Sequence, residues 1–118
     1  MIYHITTHSF WEKAIQTSFY LPEDFKKEGF IHCSSKDQII RVANRFYRGQ
    51  SDLVLLAIDP EKVNAEIVYE NLERGEEFFP HIYGRLDVTA VEGLAVLTID
   101  ASGSFGFPKV WSKPSSSQ

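Results

Sequence analysis

The spacing of apolar and polar residues changes several times along this chain, and each change marks a separate element. Ile2 to Thr6 alternates and reads as a short strand. Ser9-x-x-Glu12 then has the form of a capping box, which predicts a helix over about Phe10 to Gln16, with Phe10, Ala14 and Trp11 on its apolar face. Pro22 and the charged PEDFKKEG stretch predict a connection or one short helical turn, ended by Gly29. Phe30 to Ser34 is a second short strand. Ser35-x-x-Gln38 is a second capping box and opens a helix through Tyr47, stopped by Gly49, with Ile39, Val42, Ala43, Phe46 and Tyr47 as its buried stripe. LVLLAID, from Leu53 to Asp59, is a continuous β-rich run of the kind expected from a central strand covered on both faces.

Further strands are predicted at Ile67 to Glu70, at Phe79 to Tyr83, and near Leu86 to Val91 and Leu94 to Asp100, with NLERGEEF as a polar loop. These elements add up to an α+β fold, a small mixed, largely antiparallel sheet with two main helices. No internal repeat or domain boundary interrupts it, so residues 1–108 form one domain and residues 109–118 read as a flexible C-terminal tail.

Composition supports an independently folding domain. The 118 residues are 43% hydrophobic, 14% aromatic and 24% charged, enough apolar material to offset the entropy of ordering one chain. A net charge of −4 repels polyanions, so non-specific nucleic-acid binding is not expected. Arg41, Arg45 and Arg48, with Lys26 and Lys27, are the nearest approach to a basic cluster and read first as a solvated helix face. The single cysteine, Cys33, closes no internal disulfide, and MIYHITT has neither a basic leader nor a long apolar stretch. The expectation is a cytoplasmic protein without a membrane span.

The candidate chemistry lies in three strands. Alternation places Ile2, His4 and Thr6 on one face, Phe30, His32 and Ser34 on one face of the second strand, and Phe79, His81 and Tyr83 on one face of the third. Each strand therefore sets a histidine beside a hydroxyl residue. A lone histidine in an apolar strand is more often a satisfied structural group, but three in step point to a shared polar cleft for a nucleotide-like ligand. Glu70, at the end of IVYE, could orient a hydroxyl, and its alternative is an ordinary strand-end charge. Trp11, Phe79 and Tyr83 could stack on a planar base, although aromatic residues at such positions commonly serve packing. His8 reads as a surface or capping residue. Cys33 reads as core, because adjacent strand residues face opposite ways and His32 is badly placed to activate its thiol. A three-histidine metal site lacks any HExxH or HxH pair, and no metal is expected.

At IYHITT, EGFIHCSSKDQ, DLVLLAIDP and FFPHIYG, the chain resembles the bacterial family of domain of unknown function 952, over about Met1 to Phe107. That family looks like a compact relative of the ADP-ribosyltransferase fold, a split sheet that binds NAD and is also used by RNA 2′-phosphotransferases. The resemblance implies that His4 and Thr6 hold the adenosine ribose of NAD, that His32 and Ser34 support the nicotinamide-ribose side, and that Glu70, or His81 with Tyr83, supplies the third motif. His4, His32, His81 and Glu70 are then the catalytic candidates, with Thr6, Ser34, Tyr83 and Phe79 in binding roles. Three readings follow: a glycosyl- or phosphotransferase, a non-catalytic nucleotide or small-molecule binding module, and a protein whose histidines are only structural.

Overall fold

The computed structural model describes residues 1–71 and 75–114. Residues 72–74 of the expected NLERGEEF loop and residues 115–118 of the expected tail lie outside that set. The chain folds as β1 (Ile2–Thr7), α1 (His8–Thr17), β2 (Phe19–Tyr20), α2 (Phe25–Glu28), β3 (Ile31–His32), α3 (Lys36–Phe46), β4 (Leu53–Ile58), β5 (Glu66–Glu70), β6 (Phe79–Tyr83), β7 (Leu86–Asp87) and β8 (Val91–Val96).

β4 is the centre of the largest sheet, with β1 and β8 paired antiparallel on its two edges, and every one of its residues is buried. Its apolar run is continuous because both faces are covered. Val54, Leu56 and Ile58 join Ile2, Trp11 and Ile82 in one core cluster, while Leu53, Leu55 and Ala57 join Tyr3, Ile5 and Ile39 in the other. Successive side chains of one strand thus fill two cores. Trp11 and Ala14 turn α1 into the first of these and Ile39 and Ala43 turn α3 into the second.

The Ser35-x-x-Gln38 capping box forms, Gln38 Oε1 accepting from the Ser35 N–H at 2.9 Å. The box expected at Ser9 does not. Thr7 caps α1 instead, its Oγ1 accepting from the Phe10 N–H at 3.2 Å, and the helix starts two residues before the expected boundary. Gly29 closes α2 at φ 82°, a left-handed conformation that glycine adopts without steric cost, with its N–H on the Phe25 carbonyl at 2.7 Å.

A second three-stranded sheet has the order β3-β6-β5, and β2 pairs with β7. All pairings between these strands are antiparallel, so the sheet is not mixed among the described residues. The two larger sheets touch where Tyr3 and Ser34 exchange backbone hydrogen bonds at 2.8 Å. The strand expected near Leu86 to Val91 lasts only two residues before a 3₁₀ turn at Val88–Ala90, and the last strand runs from Val91 to Val96 rather than from Leu94 to Asp100.

The C-terminal segment is packed over its described part. Asn44 clamps the backbone of Phe105, Trp111 lies against Tyr3 and Phe107, and Ser112 pairs with Leu94 through two backbone hydrogen bonds. Trp111 and Ser112, inside the expected tail, are thus held against the rest of the fold. No helix among the described residues is long and apolar enough to cross a membrane.

Candidate functional site

A cavity of about 430 Å³ opens between α3, the end of β3 and the adjoining ends of β5 and β6. That volume lies in the ordinary range for a small-molecule site. His32, Cys33 and Ser34 form one wall, Val42, Phe46 and Tyr47 of α3 and its cap a second, and Glu70, Asn71, Phe79 and His81 a third. The α3 wall is tied to the segment before β6. Gln38 Nε2 donates to the Phe78 carbonyl at 2.9 Å, and Arg41 donates to both carboxylate oxygens of Glu77 at 2.7 and 2.8 Å.

His81 is the best-held polar group of the cavity. It is 4% exposed, its Nδ1 lies 2.9 Å from Glu70 Oε1, and the Phe30 ring stacks on it at 4.1 Å and 18°. The Tyr83 hydroxyl donates to the same carboxylate oxygen. These two bonds, from Tyr83 first and His81 second, hold the Glu70 carboxyl below its usual range, while the same bond raises the Tyr83 phenol. An ionised carboxylate only accepts, so the proton of a neutral His81 sits on Nδ1. Its Nε2 then carries a lone pair and has no hydrogen-bond partner among the described residues.

Opposite His81 in the β3–β6 register stands His32, the two ring centroids 5.2 Å apart. Its Nε2 pairs with Glu28 Oε1 at 3.1 Å, near the open end of the site, where the side chain is 49% exposed. Cys33 belongs to the core as expected, but it also contributes to the cavity wall. Burial pushes its thiol well above the ordinary range, which keeps it protonated and a poor nucleophile.

Six of the eight candidate residues are thereby gathered: His32, Ser34, Glu70, Phe79 and His81 on the wall, and Tyr83 behind Glu70. His4 and Thr6 are not among them. His4 is buried between sheets, with Nδ1 donating to the His32 carbonyl at 2.5 Å and Nε2 2.8 Å from the Tyr20 hydroxyl, itself 3.0 Å from Thr6 Oγ1. Burial lowers the His4 pKa to about 4, so the ring is neutral near pH 7. With Nδ1 donating, Nε2 of the neutral ring is the acceptor facing Tyr20, whose hydroxyl also meets Thr6 Oγ1. The chain Thr6, Tyr20, His4, His32 carbonyl is a closed structural network. Tyr20 was not legible from alternation because it comes from β2, a two-residue strand with no periodic signal. Trp11 also leaves the list of stacking candidates, being wholly buried in the core.

Among the described residues no group of three or more histidine, cysteine or carboxylate side chains is gathered to hold a metal ion. The family model described as Protein of unknown function (DUF952) matches residues 5–94. The chain belongs to the DUF952 family. The crystal structure of protein CC0527 from Caulobacter crescentus is similar to it at a TM-score of 0.80 and 34% identity, covering 89% of this chain and 92% of that one. A solution NMR structure of the same Caulobacter crescentus protein gives 0.69 and 34%, covering 87% and 89%. No curated protein matches the chain. The family model establishes membership and the fold itself is α+β with antiparallel sheets, while these structural neighbours do not support the expected ADP-ribosyltransferase-like fold.

Proposed function

We propose that the cavity binds a nucleoside-like small molecule and that the Glu70–His81 pair handles a proton at one of its hydroxyl groups. The observation that carries this reading is the 2.9 Å contact between Glu70 Oε1 and His81 Nδ1 on the wall of the cavity. A carboxylate on one ring nitrogen fixes the tautomer and orientation of an imidazole and stabilises the imidazolium it becomes, which is what a general base requires. Phe46, Tyr47 and Phe79 supply the flat apolar surface that a planar heterocycle needs, and the Ser34 hydroxyl supplies a further polar contact. NAD is a larger member of this ligand class. Group transfer from it would be the catalytic form of the proposal, and a binding module without turnover the other.

The test is an NMR titration of the isotope-labelled protein with adenosine, AMP and NAD, with nicotinamide release followed in the NAD arm. Binding should perturb the amides of residues 32–34, 46–47, 70 and 81, and Glu70→Gln should weaken it about 10-fold, as expected for a lost charge-assisted contact. Titrations that leave those amides unmoved with all three compounds would overturn the reading. Nicotinamide release would favour the transferase form.

A further inference from the structure

Resting on that reading, we propose that His32, held by Glu28, is a second proton-handling residue of the same cavity. The site is thereby suited to moving a phosphoryl group between two oxygens of one substrate, a ribonucleoside 3′-phosphodiester.

Two imidazoles face each other directly in the β3–β6 register, 5.2 Å apart at an interplanar angle of 75°. Both pack on Phe30, His81 face to face at 4.1 Å and His32 edge-on at 4.6 Å, so one aromatic ring buttresses the pair. Each is bonded to a carboxylate from a different element, His81 through Nδ1 to Glu70 of β5 and His32 through Nε2 to Glu28 of α2. Opposite ring nitrogens are therefore committed, leaving Nε2 of His81 and Nδ1 of His32 without partners among the described residues. Other titratable groups around the pair are the Tyr83 phenol, which is occupied with Glu70, the Cys33 thiol and Tyr47 phenol on the cavity wall, both raised by burial, and the neutral His4 bonded to the His32 carbonyl.

Their settings differ in a way that separates roles. His81 is enclosed and oriented by an ionised carboxylate, a setting for the base. His32 is half exposed at the mouth, where an imidazolium can meet an anionic phosphate and regain its proton from water. A cavity of about 430 Å³ has limited room for two substrates, which favours a reaction whose acceptor and leaving oxygens belong to the same molecule.

In that reaction the 2′-hydroxyl gives its proton to His81 Nε2 and its oxygen bonds to phosphorus. The bond from phosphorus to the 5′-oxygen of the next nucleoside breaks, and that oxygen takes a proton from His32. The products are a 2′,3′-cyclic phosphate and an alcohol, and exchange with water restores both rings.

The experiment compares two substrates, the dinucleotide ApA and adenosine 3′-(4-nitrophenyl phosphate), whose leaving group departs without a proton. The wild-type protein should turn over both, with a bell-shaped pH dependence of kcat/KM on ApA. His32→Ala should lower ApA cleavage by about 100-fold or more and the nitrophenyl ester by less than about 5-fold, while His81→Ala lowers both. Circular dichroism and the adenosine titration confirm that each variant folds and binds. Absence of turnover, equal losses on both substrates in His32→Ala, or activity that survives in every variant would overturn the inference. If adenosine still binds in those cases, only this inference fails. If adenosine, AMP and NAD all fail to bind, the proposed function fails with it.

Discussion

His4 and Tyr20 meet at 2.8 Å inside the protein, closing a polar chain that runs from the Thr6 hydroxyl to the backbone of β3. The imidazole is thereby part of the scaffold behind the cavity wall and titrates with stability.

Burial lowers the folded pKa of His4 to about 4 from 6.5, so the unfolded chain takes up a proton between those values that the folded chain refuses. The stabilisation is fully present above pH 6.5 and is lost as pH falls toward 4, at about 1.4 kcal/mol per unit and about 3 kcal/mol in all. Urea unfolding at pH 7.5, 6.5, 5.5 and 4.5 should show this slope in the wild type. His4→Asn should be less stable at pH 7.5 and should lack the His4 part of the slope. Parallel slopes for the two proteins would refute the assignment.

Glu70 carries a lowered pKa because Tyr83 and His81 both bond to it, so its contribution is present above the ordinary carboxylate value and disappears as pH falls below it. Tyr83→Phe removes the larger of the two causes. A carboxyl ¹³C titration should then find the Glu70 midpoint moved upward, and an unchanged midpoint would mean that the phenol does not reach the carboxylate in solution.

Gly84 sits where the chain turns after β6, and a Cβ placed there would lie 2.7 Å from the Ala65 Cβ. Gly84→Ala should cost about 1–3 kcal/mol, the usual penalty for forcing atoms into a filled site. Gly106, with nothing within 4 Å of the added atom, is the control, and Gly106→Ala should change stability by less than about 0.5 kcal/mol. Equal effects in chemical denaturation would show that the turn relaxes freely.

Trp111 holds the C-terminal segment against Tyr3 and Phe107, with ring centroids 6.1 and 5.8 Å away. Trp111→Ala should destabilise the protein by about 1–3 kcal/mol, because aromatic contact area is lost from a half-buried site. Hydrogen exchange at Leu94 and Ser112, which exchange backbone hydrogen bonds, should accelerate at the same time. Protection that survives the substitution would mean that the backbone pairing holds without the indole.

The elements most legible in the chain are those whose causes lie within a few residues. Gln38 bonds back to Ser35, Gly29 closes the turn of α2, and the run from Leu53 to Ile58 is buried throughout, as each local pattern implied. Legibility fell where several residues could serve one role. Thr7 and Ser9 both offer a hydroxyl at the start of α1, and the one that reaches the Phe10 N–H is that of Thr7. Val88–Ala90 continues an apolar alternation yet coils into a 3₁₀ turn, with the Val88 N–H taken by the Ser18 carbonyl from a distant turn.

The histidines mark the same boundary. Strand parity by itself placed a histidine beside a hydroxyl residue in each of three segments, because alternation is a property of the local backbone. Which of them meet was decided only by tertiary structure. His32 and His81 face one cavity because β3 and β6 pair in that register, whereas His4 turns toward β2 and is consumed by Tyr20. Register and sheet-to-sheet packing depend on contacts between residues far apart in the chain, and a period of two residues carries no information about what lies across the sheet.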